Sequence, residues 1–163
     1  MINFADTLDV LMKSGVRFIL IGGFAGNLHG SARITYDLDI LYERTPENYR
    51  RLVAALSPYQ PYLRGAPPGL PFRWDEATIA AGLNFTLSTT LGDVDVLGEI
   101  IGGGYRELIG HTVLMPLRNH LVPTLDLPTL ISVKRRTGRN KDLEAIGELE
   151  QLLDRQPPAN DGG

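Results

Sequence analysis

Three aspartates in apolar surroundings are the residues of this sequence best suited to chemistry. Asp37 and Asp39 are separated by one leucine in RITYDLDIL, and Asp95 lies between two valines in DVDV. Because side chains alternate between the faces of a strand, Asp37 and Asp39 project from the same face. Two carboxylates this close repel unless a cation binds them or one is protonated, and Mg²⁺ prefers oxygen ligands. The pattern predicts a divalent metal site, although surface strands and turns also contain Asp-x-Asp pairs.

Paired glycines precede the acidic strand. Gly22 and Gly23 end the apolar run RFILI and open into FAGNLHG, which fits a short helix. Glycines at this position let backbone N–H groups approach a phosphate closely, but tight turns need glycine for conformational reasons alone. The occurrence of the glycines together with the acids favours a substrate that carries phosphate.

Hydrophobic periodicity places these residues in an α+β domain with a small mixed sheet. The predicted order is helix, strand, short helix, strand, helix, two strands, shorter strand-like segments and two helices. The first helix is expected to end at Gly15, and the third to begin with Thr45 as its N-cap and Pro46 at its first position. The two strands around GLNFTLSTTLGDVDVLGEI form a hairpin that turns near LGD, with Asp93 as a turn residue.

The C-terminal part of the chain predicts two helices broken around Gly138. The last helix is expected to run from about Lys141, with its leucines and isoleucine directed inward, namely Leu143, Ile146, Leu149, Leu152 and Leu153. Between the third helix and the hairpin, five of the eleven prolines lie within SPYQPYLRGAPPGLP. The proline-rich loop 58–71 is therefore expected to be irregular, either as a lid or as a connector.

Length and composition indicate one globular domain. The chain has 163 residues, 43% apolar content and a formal net charge of −3, so we expect a single domain over 1–154 and a disordered tail over 155–163. The absence of cysteine excludes disulfides and thiolate metal sites. The N-terminus lacks the pattern of a signal peptide and no apolar run reaches the length of a membrane span, which predicts a cytoplasmic protein with no membrane partner.

Two cations are candidates for binding an anionic substrate. Lys134 follows Leu127 and Leu130 at helical spacing, so it shares their core-facing side and can reach a site at the sheet edge. Arg33 lies just ahead of the acidic strand, where it can neutralise phosphate or brace Asp37. The neighbouring arginines of VKRRTGRNKD are expected to form a solvated helix face.

Three runs carry a family resemblance: LIGGFAGNLHGSARITYDLDIL, DVDVLGEIIGGGY and SVKRRTGRNKDLEAI. Together they resemble the small nucleotidyltransferase domains of the DNA polymerase β superfamily, over roughly 18–153. The nearest branches are the nucleotidyltransferase-type toxins of toxin–antitoxin systems and the aminoglycoside and lincosamide nucleotidyltransferases. The resemblance implies a nucleotidyltransferase-like sheet flanked by helices, with the C-terminal helices packed on it.

The resemblance also implies roles for individual residues. The metal ligands and catalytic acids would be Asp37, Asp39 and Asp95, with Asp95 helping to activate the attacking hydroxyl and Mg²⁺ or Mn²⁺ as the ion. The nucleotide-binding residues would be Gly22, Gly23, Arg33 and Lys134. Many members have a serine after the second glycine, where this sequence has Phe24, so triphosphate contacts would come from backbone N–H groups or other side chains.

The activity implied is transfer of a nucleoside monophosphate from an NTP, such as ATP, to an acceptor hydroxyl. The acceptor would be RNA, a protein or an aminoglycoside-like small molecule. Membership of the toxin branch would add an antitoxin partner. The alternative is a catalytically silent nucleotidyltransferase-like protein that binds or regulates.

Overall fold

A seven-stranded mixed sheet with helices packed on it forms the fold. The computed structural model describes residues 3–138 and 142–156. Within them the strands are β1 (Phe18–Ile21), β2 (Asp37–Tyr42), β3 (Tyr62–Leu63), β4 (Phe85–Thr89), β5 (Gly92–Leu97), β6 (Thr112–Leu117) and β7 (His120–Leu125). The helices are α1 (Phe4–Lys13), α2 (Gly22–Leu28), α3 (Pro46–Leu56), α4 (Glu76–Ala81), α5 (Tyr105–Leu108), α6 (Leu127–Thr137) and α7 (Asp142–Arg155). The predicted α+β class is confirmed.

The strand order is β3-β4-β5-β2-β1-β7-β6. β2 lies near the centre, antiparallel to β1 and parallel to β5, while β4–β5 and β6–β7 are antiparallel hairpins. Parallel pairing puts Asp39 directly beside Asp95 and Asp37 directly beside Asp93. Residues paired in this way project from the same face of the sheet, so the topology alone brings acids from β2 and β5 together.

The core explains why β2 carries acids and apolar residues in alternation. Leu38 and Ile40 are fully buried on one face, whereas Asp37 and Asp39 are only partly buried on the other. β1 is buried along its whole length, as expected for a strand with both faces covered. The apolar residues of β2 thus anchor the strand while its acids face the opposite surface.

The local signals at the helix ends match the structure. α1 ends before Gly15, which has a left-handed φ of 70°. The Thr45 hydroxyl accepts a hydrogen bond from the Asn48 N–H at the start of α3, with Pro46 in the first turn. Gly138 caps α6 with a left-handed φ of 67°. These predicted boundaries are confirmed.

Several sequence predictions are wrong or incomplete. The hairpin turn lies at 90–91, so Asp93 is part of β5 and is not a turn residue. The Thr89 hydroxyl closes this earlier turn by donating to the Gly92 carbonyl at 2.7 Å and accepting from the Leu91 N–H at 3.1 Å. The short β3, which lies within the proline-rich loop 58–71, and α4, which follows that loop, were not predicted.

The last helix buries fewer apolar residues than the sequence suggests. Ile146 and Leu149 are buried as predicted, but Leu143 is 65% exposed. At about 100° per residue, Leu143 is about 120° around the helix from the centre of its buried face, which is why it projects outward. The predicted start at Lys141 lies outside the described residues. Most of the tail predicted to be disordered over 155–163 also lies outside them, and Arg155 is the last residue of α7. No described helix is both long and apolar enough to cross a membrane.

Candidate metal centre

The three predicted acids converge on one face of the sheet. Asp37 and Asp39 come from β2 and Asp95 from β5, and one carboxylate oxygen of each lies within 4.8 Å of the other two. A set of three oxygen donors at this spacing suits a hard divalent cation. The donor chemistry therefore fits a metal of the kind the sequence predicts, and alternation along β2 together with its pairing to β5 creates the site.

Burial and neighbouring charge disfavour the ionised forms of Asp37 and Asp39. Burial raises the pKa of Asp39 to about 8, helped by its hydrogen bond to Asp95 and by the nearby charges of Asp37 and Asp95. Burial also raises the pKa of Asp37, with the hydrogen bond and charge of Asp95 acting in the same direction. A cation among the three oxygens would remove this repulsion and favour the ionised forms.

The predicted glycines have a steric role in this site. Gly22 has a φ of 72°, and a Cβ added there would lie 2.9 Å from the Asp39 Cβ and nearer still to its carboxylate oxygen. A Cβ on Gly23 would lie 2.7 Å from the Thr35 hydroxyl oxygen. The two glycines therefore make room for side chains of the acidic segment. Their contact with phosphate stays a prediction.

Arg64 is the site residue that sequence reasoning missed. Its guanidinium forms ion pairs with Asp37 at 3.5 Å and Asp93 at 3.6 Å, and a closer one with Asp95. Burial alone would lower the pKa of Arg64, but the hydrogen bond to Asp95 and the charges of the three aspartates outweigh it and raise that pKa. Arg64 follows β3 within the loop 58–71, and neither hydrophobic periodicity nor a motif marks it.

Two adjoining cavities share Lys134 in their linings. A cavity of about 190 Å³ is lined by Gly23, Arg33, Thr35 and Lys134 among others, and a second of about 370 Å³ includes Gly22, Asp39, Asp95 and Lys134. The structure thus brings the four predicted nucleotide-binding residues to two neighbouring cavities, one of which contains two of the acids. No ion pair joins Lys134 to a carboxylate among the side chains that the structure describes.

The loop that carries Arg33 is tied to α7. Ser31 donates a hydrogen bond to one Glu148 carboxylate oxygen at 2.5 Å, and the Ala32 N–H donates to the other at 3.2 Å. Arg33 pairs with Glu144 at 3.9 Å and its side chain is 47% exposed. Of the two roles predicted for Arg33, bracing Asp37 is carried out by Arg64. The position of Arg33 is compatible with the other role, which is contact with phosphate.

Comparison with known proteins supports the fold. No protein-family model matches the chain, and no curated protein matches it in sequence. The structure is similar to the crystal structure of a "putative nucleotidyltransferase" from Thermotoga maritima, with a TM-score of 0.56 and 15% sequence identity. The match covers 96% of this chain and 97% of that one. At this identity the likeness concerns the fold, and the chain has a nucleotidyltransferase fold.

Proposed function

We propose that the protein is a metal-dependent nucleotidyltransferase that moves a nucleoside monophosphate from an NTP to an acceptor hydroxyl. The observation that carries this proposal is the convergence of carboxylate oxygens of Asp37, Asp39 and Asp95 within 4.8 Å of one another, in a fold shared with the Thermotoga maritima protein. Since NTPs are cytoplasmic substrates, the proposal places the reaction in the cytoplasm.

The three aspartates would hold Mg²⁺ or Mn²⁺. When bound, such ions neutralise phosphate charge and align the reacting oxygens. Asp95 would accept the proton of the acceptor hydroxyl. The hydroxyl oxygen would bond to the α-phosphorus as the bond from that phosphorus to pyrophosphate breaks and pyrophosphate leaves. Gly22 and Gly23 would present backbone N–H groups to the phosphates.

Arg33 and Lys134 would supply positive charge to the triphosphate. Both line the smaller cavity beside Gly23, and Lys134 also reaches the cavity that contains Asp39 and Asp95. A lysine between the acids and a cavity lined partly by glycine is well placed for an anion such as a phosphate. The paired cavities thus support an NTP that spans them.

The lining of the larger cavity bears on the acceptor. Asp39 and Asp95 are the carboxylates among its described lining residues, Lys134 is the cation, and most other positions are apolar, such as Ile100, Leu125 and Val133. A polycationic aminoglycoside needs acids beyond those that a metal would occupy. This lining favours RNA or a protein as acceptor over an aminoglycoside-like molecule.

The proposal extends to a role as the toxin of a toxin–antitoxin pair, with an antitoxin partner that restrains the transferase. Induced expression of the wild-type chain in a bacterial host would then arrest growth, and Asp39→Asn would abolish the arrest. Growth arrest that persists in Asp39→Asn would contradict a toxic activity that depends on this site.

The catalytic test uses purified protein, labelled NTPs, Mg²⁺ and candidate RNA or protein acceptors. Wild type is expected to transfer label, and Asp39→Asn to lose at least 100-fold in rate, since an amide is a poor substitute for a carboxylate ligand. The matched control is Glu99→Gln, which neutralises an exposed carboxylate just beyond β5. Equal labelling by wild type and Asp39→Asn would refute the assignment of the metal site.

The second candidate function is a binding or regulatory protein without turnover. The observation in its favour is the ion pairing of Arg64 with Asp37 and Asp95, which neutralises part of the acidic cluster from within the chain. Calorimetric titration with NTP separates the two functions. The transferase requires NTP binding that depends on Mg²⁺, whereas a binding module of this kind would bind NTP equally well in the presence of a chelator.

A further inference from the structure

We propose that Arg64 is an internal counter-ion that a divalent metal displaces from the acidic cluster. The inference rests on the metal dependence of the proposed function and assigns a role to a residue outside the predicted site. Arg64 would hold the aspartates in place before metal binds and would compete with the metal for their oxygens.

The first support is the choice of partners. The Arg64 guanidinium contacts Asp37, Asp93 and Asp95, which all project from the same face of β2 and β5. Asp37 and Asp95 also belong to the acidic triad, which is the set Asp37, Asp39 and Asp95 whose carboxylate oxygens lie within 4.8 Å of one another. A metal ligated by Asp37 or Asp95 would therefore draw on carboxylates that already serve Arg64.

The second support is charge. A divalent ion among the triad would bring two positive charges close to a guanidinium that is always protonated. Arg64 pairs with Asp37, Asp93 and Asp95. Asp39 has no ion-pair partner among the described side chains. The metal-free cluster is thus only partly neutralised, and a metal that binds all three oxygens must overcome both Arg64 and the repulsion between cations.

The third support is the way in which Arg64 is held. Its backbone N–H donates to the Thr86 carbonyl at 2.9 Å, which fixes the main chain beside β4. The Nε atom is buried without a hydrogen-bond acceptor among the described residues, and the Nη2 contact with the Leu87 carbonyl is long, at 3.4 Å. The guanidinium is therefore retained chiefly by the aspartates, so the side chain can leave without disturbing the sheet.

A bracing role predicts the opposite response to substitution. If Arg64 only oriented the carboxylates for the metal, its removal would weaken metal binding. If it competes with the metal, its removal tightens metal binding and destabilises the metal-free protein, because the carboxylates lose their cation. Metal affinity therefore distinguishes the two roles without any measurement of catalysis.

The experiment is calorimetric titration of nucleotide-free protein with Mn²⁺ and with Mg²⁺. Arg64→Gln is expected to lower the Kd for metal at least tenfold relative to wild type, and Arg64→Lys, which keeps the charge but loses the planar fork, to lower it less. The matched control is Arg51→Gln, which removes one charge from an exposed ion pair with Glu47 on α3 and should leave the Kd unchanged. Thermal unfolding with chelator is expected to show a lower midpoint for Arg64→Gln, and added metal to raise that midpoint more than in wild type.

The outcomes separate this inference from the proposed function. If wild type binds metal and both Arg64 variants bind it with an unchanged or higher Kd, the competition between Arg64 and metal is overturned. The transferase proposal would then stay intact. Absence of metal binding in wild type and in both variants would overturn the inference and the metal dependence together. If Arg64→Gln does not fold without metal, Arg64→Lys decides, since it retains a cation beside the acids.

Discussion

Gly22→Ala is expected to distort the acidic site because the new methyl group would occupy space that Asp39 already fills. Gly22 has a left-handed φ of 72°, and the added Cβ would lie 2.9 Å from the Asp39 Cβ. Rotation of the Asp39 carboxylate relieves only part of the overlap, since its Cβ is fixed by the backbone of β2. The substitution therefore combines backbone strain with a clash against a strand in the core.

The magnitude follows from these two contributions. A non-glycine residue in the left-handed region costs about 1–2 kcal/mol, and overpacking adds about 1–3 kcal/mol. We expect Gly22→Ala to lower the free energy of unfolding by about 3 kcal/mol, or about 6–12 °C in Tm for a chain of this size. The assay is urea or thermal denaturation followed by circular dichroism, in the presence of chelator.

Gly138→Ala is the matched control for the backbone contribution. Gly138 has a φ of 67°, nearly that of Gly22, but a Cβ there would meet no described atom within 4 Å. Its expected cost is about 1–2 kcal/mol, from backbone strain alone. In a double-mutant cycle, Asp39→Ala should rescue part of the loss caused by Gly22→Ala. Equal costs for the two glycine variants, or strict additivity in the cycle, would refute the packing of Asp39 against Gly22.

Three further predictions concern pH and polar contacts. The pKa of Asp39 is raised to about 8, so its contribution to stability is fully present below its unfolded pKa of about 4 and is lost as the pH rises through about 8. In the presence of chelator, Tm should therefore fall between about pH 4 and pH 8. Asn48→Ala should cost about 3 kcal/mol, because this buried amide accepts from the Arg17 N–H and donates to the Arg17 and Glu43 carbonyls at 2.8–2.9 Å. Trp74→Phe should cost about 1–2 kcal/mol by removing the indole hydrogen bond to a main-chain carbonyl at 3.1 Å. Denaturation followed by circular dichroism measures the two substitutions.

Each of these predictions has its own control. Asp39→Asn cannot titrate, so it should flatten the fall in Tm with pH, and an unchanged slope in that variant would show that other groups cause it. Asn48→Asp keeps the size but places an acceptor against two carbonyls, so it should be no less destabilising than Asn48→Ala. A Trp74→Phe variant as stable as wild type would mean that water replaces the lost donor.

Local signals were sufficient to predict much of the site. Alternation along β2 placed Asp37 and Asp39 on one face, and the same pattern in β5 placed Asp95 among its buried valines. The signals at Thr45 and Gly138 likewise act within a few residues, which is why helix ends were predicted well. A pattern of this kind reports the environment of a residue along its own strand or helix.

Contacts between distant parts of the chain left no such signal. Arg64 meets Asp95 across 31 residues, and β3, which carries it to the site, is two residues long. A strand of that length has no measurable alternation, and the prolines around it favoured a loop. The steric role of Gly22 was hidden for the same reason, since it depends on Asp39 in the neighbouring strand.

The register between β2 and β5 links the fold to the proposed chemistry. A slip of one residue would turn Asp95 to the opposite face from Asp39 and move buried valines to the surface. The hydrophobic cost of exposing Val94 and Val96, both fully buried, therefore holds the acids together despite their repulsion. Since the apolar face of the sheet sets the register, the acidic face can carry unfavourable charge that a metal or Arg64 must neutralise.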